Sequence, residues 1–185
     1  MNKIIGYYTN NGECSELHNC DFIQLELMGP HAKTENSIAL VSKSSLDLIL
    51  QFQWYLGKDS YPITHGTQDK TIIFGRGMKM HKLLFLKISK EKVVDHINRN
   101  KLDNRLGNLR VCTQQQNSYN TSKSKNSLKN FKGVSKQNNN LFTAKISKNG
   151  IIHEIKDILE EKEAAKIYDM MAEELFGQYA GKNFN

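Results

Sequence analysis

The fold of this chain is decided by Asp95-His96-Ile97-Asn98-Arg99-Asn100-Lys101-Leu102-Asp103-Asn104-Arg105-Leu106-Gly107-Asn108-Leu109-Arg110, followed closely by Thr113-Gln114-Gln115-Gln116-Asn117. Short apolar runs on both sides of the polar stretch, Val93-Val94 and Leu109-Arg110-Val111-Cys112, predict two short strands. The Asn- and Asp-rich segment between them predicts a long hairpin loop. Thr113 and Gln116 form a capping-box pattern, so a helix is expected to begin there and to carry Asn117 in or just after its first turn.

The residue types in this stretch suit the hydrolysis of a phosphodiester. A hard divalent cation such as Mg²⁺ takes oxygen ligands and keeps several of its waters. Asp95 offers one charged oxygen and the side-chain carbonyl of Asn117 a neutral one. Histidine titrates near neutral pH, so a neutral His96 can accept a proton from an attacking water. A metal ion would stabilise charge on the phosphate and on the leaving oxygen.

One question of geometry stays open in the sequence. Neighbouring residues on a regular strand point to opposite faces, so Asp95 and His96 would not both face one phosphate. The strand must therefore end, twist or bulge at this point. An isolated Asp-His pair is usually an ordinary pair of surface residues, and the prediction depends on the whole spaced set.

The pattern D-H-I-N-x-N-K-x-D-N-x-x-x-N-L-R-x-x-T-x-x-x-N resembles the HNH nucleases, specifically the phage-type homing endonucleases. The resemblance implies a ββα-metal core in which His96 is the general base and Asn108 braces the loop. Asp95 and Asn117 would then hold one divalent ion, Mg²⁺ or Mn²⁺. Many HNH enzymes have histidine at the position of Asn117, and the homing branch also uses asparagine there. The family cleaves DNA and leaves 5′-phosphate and 3′-hydroxyl ends.

The charge of the chain is concentrated in its middle. The 185 residues carry a net charge of +7, but residues 76–150 alone have 17 basic and 3 acidic side chains. The segments before and after this block are both net negative. Such a block suits a polyanion, because each phosphate contact releases counterions. Arg99, Arg105 and Arg110, which lie within the motif, are predicted to contact DNA.

Residues 1–75 show short alternating stretches that predict strands, among them Phe22-Ile23-Gln24-Leu25-Glu26-Leu27 and Ser37-Ile38-Ala39-Leu40-Val41. Apolar residues at near-helical spacing over residues 44–52 predict a helix. Trp54 is predicted to belong to the core. Gly75-Arg76-Gly77 lacks the context of a phosphate-binding loop and is interpreted as a turn. His81 stands where the phage HNH family has a His-Arg-Leu sequence, and is predicted to be structural or close to a phosphate.

After Asn117 the chain becomes polar, and residues 118–130 are interpreted as a linker. Beyond it, two strands are expected over residues 131–136 and 141–146. Lys148-Asn149-Gly150 then predicts a hairpin turn into a third strand. An amphipathic helix should cover one face of this sheet. Its apolar positions are Ala164, Ile167, Tyr168, Met171, Leu175 and Phe176.

This C-terminal region resembles an AP2-type DNA-binding domain. The residues that carry the likeness are Lys132-Gly133-Val134, Phe142-x-Ala144-x-Ile146, Asn149-Gly150 and Glu163-Ala164-Ala165-x-x-Tyr168-Asp169. The resemblance implies a three-stranded sheet lying in the major groove. Phe142 stands where tryptophan is usual, and lysines replace arginines. Lysine lacks the planar fork that reads guanine bidentately, so backbone contacts should outweigh base readout. The candidate DNA-binding residues are Lys132, Lys136, Phe142, Lys145 and Lys148.

The sequence thus predicts an α+β protein with three parts. Residues 1–117 would form a strand-rich region and the ββα-metal nuclease core, residues 118–130 a linker, and residues 131–185 a three-stranded antiparallel sheet packed on one helix. The predicted function is metal-dependent, homing-type cleavage of double-stranded DNA. A DNA-binding protein or regulator without cleavage is the alternative from another class, and an RNA target is a third.

Further expectations concern the setting in which the chain acts. No signal peptide and no membrane-spanning run is recognisable, which favours a cytoplasmic protein, of phage type in a bacterial host cell. Three cysteines do not indicate a disulfide framework. A monomer without an obligate protein partner is expected.

Overall fold

The computed structural model describes residues 2–32, 37–122 and 130–184, which form an α+β structure of short elements. The strands are β1 (Ile4–Thr9), β2 (Gly12–Cys14), β3 (Phe22–Glu26), β4 (Ile38–Ser42), β5 (Tyr55–Leu56), β6 (Pro62–Gly66), β7 (Ile73–Lys79), β8 (Lys92–His96), β9 (Asp103–Asn104), β10 (Leu109–Thr113), β11 (Val134–Lys136), β12 (Phe142–Lys148) and β13 (Ile151–Ile158). The α-helices are α1 (Leu46–Ile49), α2 (Met80–Leu83), α3 (Gln114–Tyr119) and α4 (Glu161–Phe176). Single 3₁₀ turns cover Leu17–Asn19, Lys43–Ser45, Leu106–Asn108 and Gly177–Tyr179.

The chain divides into two compact units, Met1–Val111 and Cys112–Asn185. The division falls inside β10, whereas the sequence predicts a domain boundary at residue 117. The contacts of α3 explain the difference. The ring of Tyr119 stacks on Phe176 with centroids 3.9 Å apart, and the backbone carbonyl of Tyr119 accepts a hydrogen bond from Gly181 N. Of the predicted linker, residues 123–129 lie outside the described residues.

The first unit is built on a five-stranded sheet with the order β2-β1-β3-β4-β9. Its predicted strands β3 and β4 are confirmed, and the alternating residues Ile23, Leu25, Ala39 and Val41 are fully buried. Trp54 is fully buried as predicted, and its indole N–H donates to the carbonyl of Ile49. The helix expected over residues 44–52 is reduced to a 3₁₀ turn and the four residues of α1.

The motif segment between β8 and β10 does not form a simple hairpin loop. Asp103 and Asn104 form β9, which pairs in parallel with Leu40 and Val41 of β4. Both polar residues are buried, with 1% and 0% of their surface exposed. Aspartate and asparagine are depleted in strands, so their local propensity opposed this assignment. The pairing ties the motif to the N-terminal sheet.

A second sheet with the order β5-β6-β7 leads into α2. Gly75, Arg76 and Gly77 lie within β7, so the predicted turn is wrong. Gly77 has φ of +76°, a conformation that glycine adopts without a steric penalty. The strand ends at Lys79, and α2 then carries His81 into the interior, where only 5% of it is exposed.

The second unit contains the antiparallel sheet β11-β12-β13 and the helix α4. The predicted hairpin at Asn149-Gly150 and the predicted amphipathic helix are both confirmed. Ala144, Ile146, Ala165 and Tyr168 belong to the buried core between sheet and helix. No helix within the described ranges is long and apolar enough to cross a membrane.

Gly133 explains part of the Lys132-Gly133-Val134 pattern in physical terms. Its φ is +71°, and a Cβ atom added there would come within 2.0 Å of the Tyr168 ring. Only glycine allows the backbone of the chain to approach α4 this closely.

Candidate functional site

Two paired strands, β8 and β10, place the central residues of the motif. β8 ends at His96, and a turn follows in which Arg99 N donates to the carbonyl of His96 at 2.8 Å. Arg99 has φ of +64°, which reverses the chain directly after the histidine. The sequence left open whether the strand ends, twists or bulges at this point, and in the structure it ends.

Asp95 is buried and paired with a positive charge. Only 7% of the residue is exposed, and its Oδ2 accepts hydrogen bonds from Arg110 at 2.7 Å (Nη2) and 3.0 Å (Nε). Arg110 lies on β10, and its side chain is also largely buried, with 13% exposed. A buried carboxylate needs such a partner because desolvation otherwise disfavours its charge. The structure therefore places Arg110, a predicted DNA contact, against the predicted metal ligand.

His96 is held by an amide of the same motif. Its Nε2 lies 3.4 Å from Oδ1 of Asn104, and Nδ2 of Asn104 donates to the carbonyl of Lys101 at 3.2 Å. That second bond turns the Asn104 oxygen towards the imidazole, so this contact favours the tautomer with the hydrogen on Nε2. Burial lowers the pKa of His96, although the hydrogen bond to Asn104 and the charge of Asp95 oppose this. The imidazole is therefore neutral at pH 7.

Three rings meet at this point: Tyr61, His81 and His96. The His81 and His96 centroids are 5.0 Å apart with the rings at 78°, and Tyr61 lies 5.0 Å from His81 and 5.9 Å from His96. Nδ1 of His81 is buried and has no hydrogen-bond partner among the described residues. Burial, followed by the nearby His96, lowers the pKa of His81 to about 3.

Two lysines lie over the Tyr61 ring beside this cluster. The ammonium groups of Lys79 and Lys101 are 3.9 Å and 4.6 Å from the ring centroid. Lys79 also pairs with Asp59, and Lys101 donates to the backbone carbonyl of Asp59 at 2.8 Å. These cations give the neighbourhood of His96 an attraction for anions.

The motif loop is held by a buried carboxylate and two amides. Asp103 accepts hydrogen bonds from Nε and Nη2 of Arg105 at 2.8 and 2.7 Å and from Asn98 Nδ2 at 2.8 Å. Burial raises the pKa of Asp103, but the bonds and charge of Arg105 outweigh it, and the net shift is downward. Asn108 Nδ2 donates to Asn98 Oδ1 and to the carbonyl of Asp103, and its Oδ1 accepts from Asn98 N. The side chain of Asn108 therefore connects the start of the loop, at Asn98, to its middle, at Asp103.

Asn117 lies in α3, whose start has the predicted capping box. Thr113 Oγ1 accepts from Gln116 N at 3.1 Å, and the Gln116 side chain accepts from Thr113 N at 2.9 Å. Asn117 is half-buried and belongs to the second unit, whereas Asp95 belongs to the first. The pairing of these two residues as metal ligands stays a prediction.

The five residues proposed from the C-terminal resemblance have different surroundings. Lys136 and Lys145 are exposed, as a DNA contact requires. The ammonium of Lys132 donates to the carbonyls of Tyr119 and Gly181, and that of Lys148 donates to the carbonyl of Leu175 near the end of α4. Phe142 is half-buried and packs against the core of this unit. Their roles in DNA binding stay predictions.

Sequence reasoning missed Tyr61, Lys79, Lys101 and Asn104 as members of this site. Lys101 and Asn104 stand within the quoted motif, so the pattern itself contained a signal for them. Tyr61 directly precedes β6, and Lys79 is the last residue of β7. Both lie outside the motif in the sequence, and no local pattern marks them.

Comparisons with known proteins agree with the motif. A family model described as HNH endonuclease matches residues 87–119. Over 154 residues, the chain is 42% identical to an uncharacterized HNH endonuclease of Acanthamoeba polyphaga mimivirus, and the alignment covers 80% of this chain and 76% of the relative. No solved structure matches the chain significantly. The expectation of a phage protein in a bacterial host stays a prediction.

The buried His81 should make folding stability depend on pH. In the unfolded chain a histidine has a pKa near 6.5, whereas in the folded protein the pKa of His81 is about 3. Below pH 6.5 the unfolded state therefore binds the extra proton, and this group alone lowers the free energy of unfolding by up to about 1.4 kcal/mol per pH unit. Urea unfolding of wild type and His81→Phe at pH 7 and pH 5 measures the difference.

The loss of stability between the two pH values should be smaller in His81→Phe than in wild type. His65→Phe, at an exposed histidine, serves as the control and should keep the wild-type dependence. Equal losses in His81→Phe and wild type would contradict the prediction.

Proposed function

Because the chain belongs to the HNH endonuclease family, we propose that it cleaves double-stranded DNA as a metal-dependent, homing-type enzyme with His96 as the general base. The endonuclease activity follows from the family itself. One observation carries the finer proposal: a buried, neutral imidazole whose Nε2 is engaged by Asn104 within the family motif. His96 then takes the proton from the attacking water.

The residues around His96 hold it ready for this step. Packing against Tyr61 and His81 limits rotation of the imidazole, and Asn104 selects its tautomer. Because burial lowers the pKa of His96, the imidazole is neutral at pH 7 and does not have to lose a proton before it acts as a base. Lys79 and Lys101 attract the phosphate towards this part of the protein.

The donor atoms fit a hard divalent ion, and the proposed ligands are Asp95 and Asn117. No group of three or more His, Cys, Asp or Glu side chains in the described part of the chain suits a metal, which argues against a closed, zinc-like site. Mg²⁺ or Mn²⁺ needs only one or two protein oxygens, because it keeps most of its waters. When bound, the ion supplies stabilisation of the charge on the phosphate and the leaving oxygen.

Arg110 compensates the buried Asp95 before a metal binds. Its guanidinium donates two hydrogen bonds to Oδ2 of Asp95. The same pairing means that an incoming cation competes with Arg110 for this oxygen. We assign Arg110 to the support of Asp95 rather than to a DNA contact.

The C-terminal unit is proposed to bind DNA as an AP2-like sheet. Its sheet-plus-helix architecture and the exposed Lys136 and Lys145 support this proposal. Lysine is a compact charge without a planar fork, so these residues are expected to contact phosphates more than base edges. Two weak binding regions on one chain raise each other's effective concentration on DNA.

Replacing His96 tests the cleavage proposal. His96→Ala should lower the rate of supercoiled-plasmid nicking in Mg²⁺ by about 10²–10⁴-fold, which is the usual contribution of a general base. His18→Ala, at a histidine outside the cluster, should keep the wild-type rate. If wild type binds the DNA but does not nick it in Mg²⁺ or Mn²⁺, a binding protein without cleavage is the correct assignment. Nicking at equal rates by wild type and His96→Ala would contradict the role of His96 as the general base.

Replacing Arg110 tests whether Asp95 binds the metal. Arg110→Met removes the guanidinium that donates twice to the buried carboxylate of Asp95, which should lower stability by about 3–5 kcal/mol. A divalent ion can compensate the same charge, so added Mn²⁺ should raise the melting temperature of Arg110→Met more than that of wild type. Differential scanning fluorimetry with and without Mn²⁺ measures both effects. In the double variant Arg110→Met/Asp95→Asn, the extra rise in melting temperature with Mn²⁺ should disappear. An equal rise in Arg110→Met and in wild type would argue against Asp95 as a ligand.

Replacing two exposed lysines tests the role of the C-terminal sheet. Lys136→Ala/Lys145→Ala removes two proposed phosphate contacts, so the slope of log affinity against log salt should fall by about 1.8. Fluorescence anisotropy on duplex DNA over a series of salt concentrations gives this slope. The matched control Lys162→Ala/Lys166→Ala removes two exposed charges from α4. The same slope in both double variants would exclude the sheet as the DNA-binding face.

A further inference from the structure

A cavity of about 450 Å³ lies beside the motif loop, on the side of the N-terminal sheet. Phe22 of β3 and Arg105, Gly107 and Asn108 of the motif contribute to its wall, and Asp21 stands at its side. The Phe22 ring stacks with Tyr8 at 5.5 Å, and the guanidinium carbon of Arg105 lies 4.7 Å from the Phe22 centroid. None of the roles assigned above uses this cavity.

We propose that this cavity binds a nucleobase of the DNA, with the base stacked on the guanidinium of Arg105 and its exocyclic amino group donating a hydrogen bond to the carboxylate of Asp21. The inference rests on the proposed function, because it takes DNA as the substrate. It adds a site for one base next to the loop that holds His96.

The state of Arg105 favours a base over a phosphate. Its Nε and Nη2 donate to Asp103, whose side chain is only 2% exposed, so the Nε–Nη2 edge is occupied and a buried carboxylate balances the charge of Arg105, which weakens its attraction for a phosphate. The Arg105 side chain is still 34% exposed. The guanidinium is also planar and delocalised, and the face of such a group stacks on aromatic rings and bases.

The acid at the side of the cavity points to the same class of ligand. Asp21 is exposed, and its Oδ2 accepts a hydrogen bond from Asn10 N at 3.0 Å, which orients the carboxylate. A negative charge here repels a phosphate. It accepts hydrogen bonds from the amino groups of adenine, cytosine and guanine, which thymine lacks. The site should therefore prefer a base with an amino group.

The position of the cavity relates it to cleavage. Asn108, which lines it, is bonded through its amide to Asn98 and to the backbone of Asp103 in the loop that follows His96. A base in the cavity would belong to a nucleotide near the bond that is cut, and it would have to leave the duplex stack to enter.

Single-stranded probes test base binding without knowledge of the recognition site. The full chain is titrated, in EDTA to prevent cleavage, with labelled oligo(dC), oligo(dT) and an abasic deoxyribose-phosphate strand of equal length. Fluorescence anisotropy gives the affinities at one fixed salt concentration. Wild type should bind oligo(dC) about tenfold or more tighter than the abasic strand, as stacking of a base implies. The affinity of wild type for oligo(dT) should lie between its affinities for oligo(dC) and for the abasic strand.

Gly107→Leu is the main variant, because a Cβ at Gly107 meets no atom within 4 Å and the added side chain can occupy the mouth of the cavity. It should remove most of the advantage of oligo(dC) and leave abasic binding unchanged. Gly75→Leu is the matched control, since Gly75 has equally open space in β7. Asp21→Asn should narrow the gap between oligo(dC) and oligo(dT), because an amide also donates to thymine.

Equal affinities of wild type for oligo(dC) and the abasic strand would overturn the proposal, as would an unchanged gap in Gly107→Leu. Weaker abasic binding in Gly107→Leu would assign the cavity to phosphate instead and would overturn it too. Thermal unfolding of each variant shows that its fold is retained. These measurements need no metal and no cleavage, so they stand or fail separately from plasmid nicking by His96.

Discussion

The buried carboxylate of Asp103 is the constraint on which the motif depends. With 1% of its surface exposed, it needs compensation, and it receives the fork of Arg105 and the amide of Asn98. Asn98 precedes Asp103 in the motif and Arg105 follows it, so the hydrogen bonds to this one carboxylate fix the conformation of the loop. The pairing of β9 with β4 then attaches that shape to the N-terminal sheet. Asn104, the next residue, is thereby placed against His96.

The two Asp–Arg pairs also change how the charge of the chain should be interpreted. A net positive block indicates nucleic acid, but Arg105 and Arg110 each neutralise a buried aspartate of the same motif. Lys132 and Lys148 likewise donate to backbone carbonyls of the C-terminal unit. Part of the positive charge therefore stabilises the fold. Of the two lysines next to the imidazoles, Lys101 stands within the motif, whereas Lys79 lies outside it and pairs with Asp59. Composition predicts the class of partner better than it predicts which residues bind it.

The imidazole cluster shows how burial prepares a base. Tyr61 directly precedes β6, His81 lies in α2 and His96 ends β8. Their rings pack together and shield one another from water. Exclusion of water disfavours the charged form of both histidines, so each is neutral at the pH at which a general base must act. The histidine with an amide partner is the one in the family motif, and the histidine with an unpartnered nitrogen packs against it.

By itself, the sequence determined the family, the two strands around the motif, the capped start of α3 and the hairpin and helix of the C-terminal unit. All of these depend on interactions over a few residues: alternation along a strand, the Thr113–Gln116 capping box, a turn at Asn149-Gly150 and the spacing of apolar residues on α4. Only the tertiary structure decided that Asp103 and Asn104 form a strand, that Gly75 to Gly77 extend rather than turn, that α3 groups with the C-terminal residues, and that Tyr61 and His81 meet His96. In each of those cases the local preference is weak or opposed, and the outcome is set by burial and pairing with residues that lie far away in the chain.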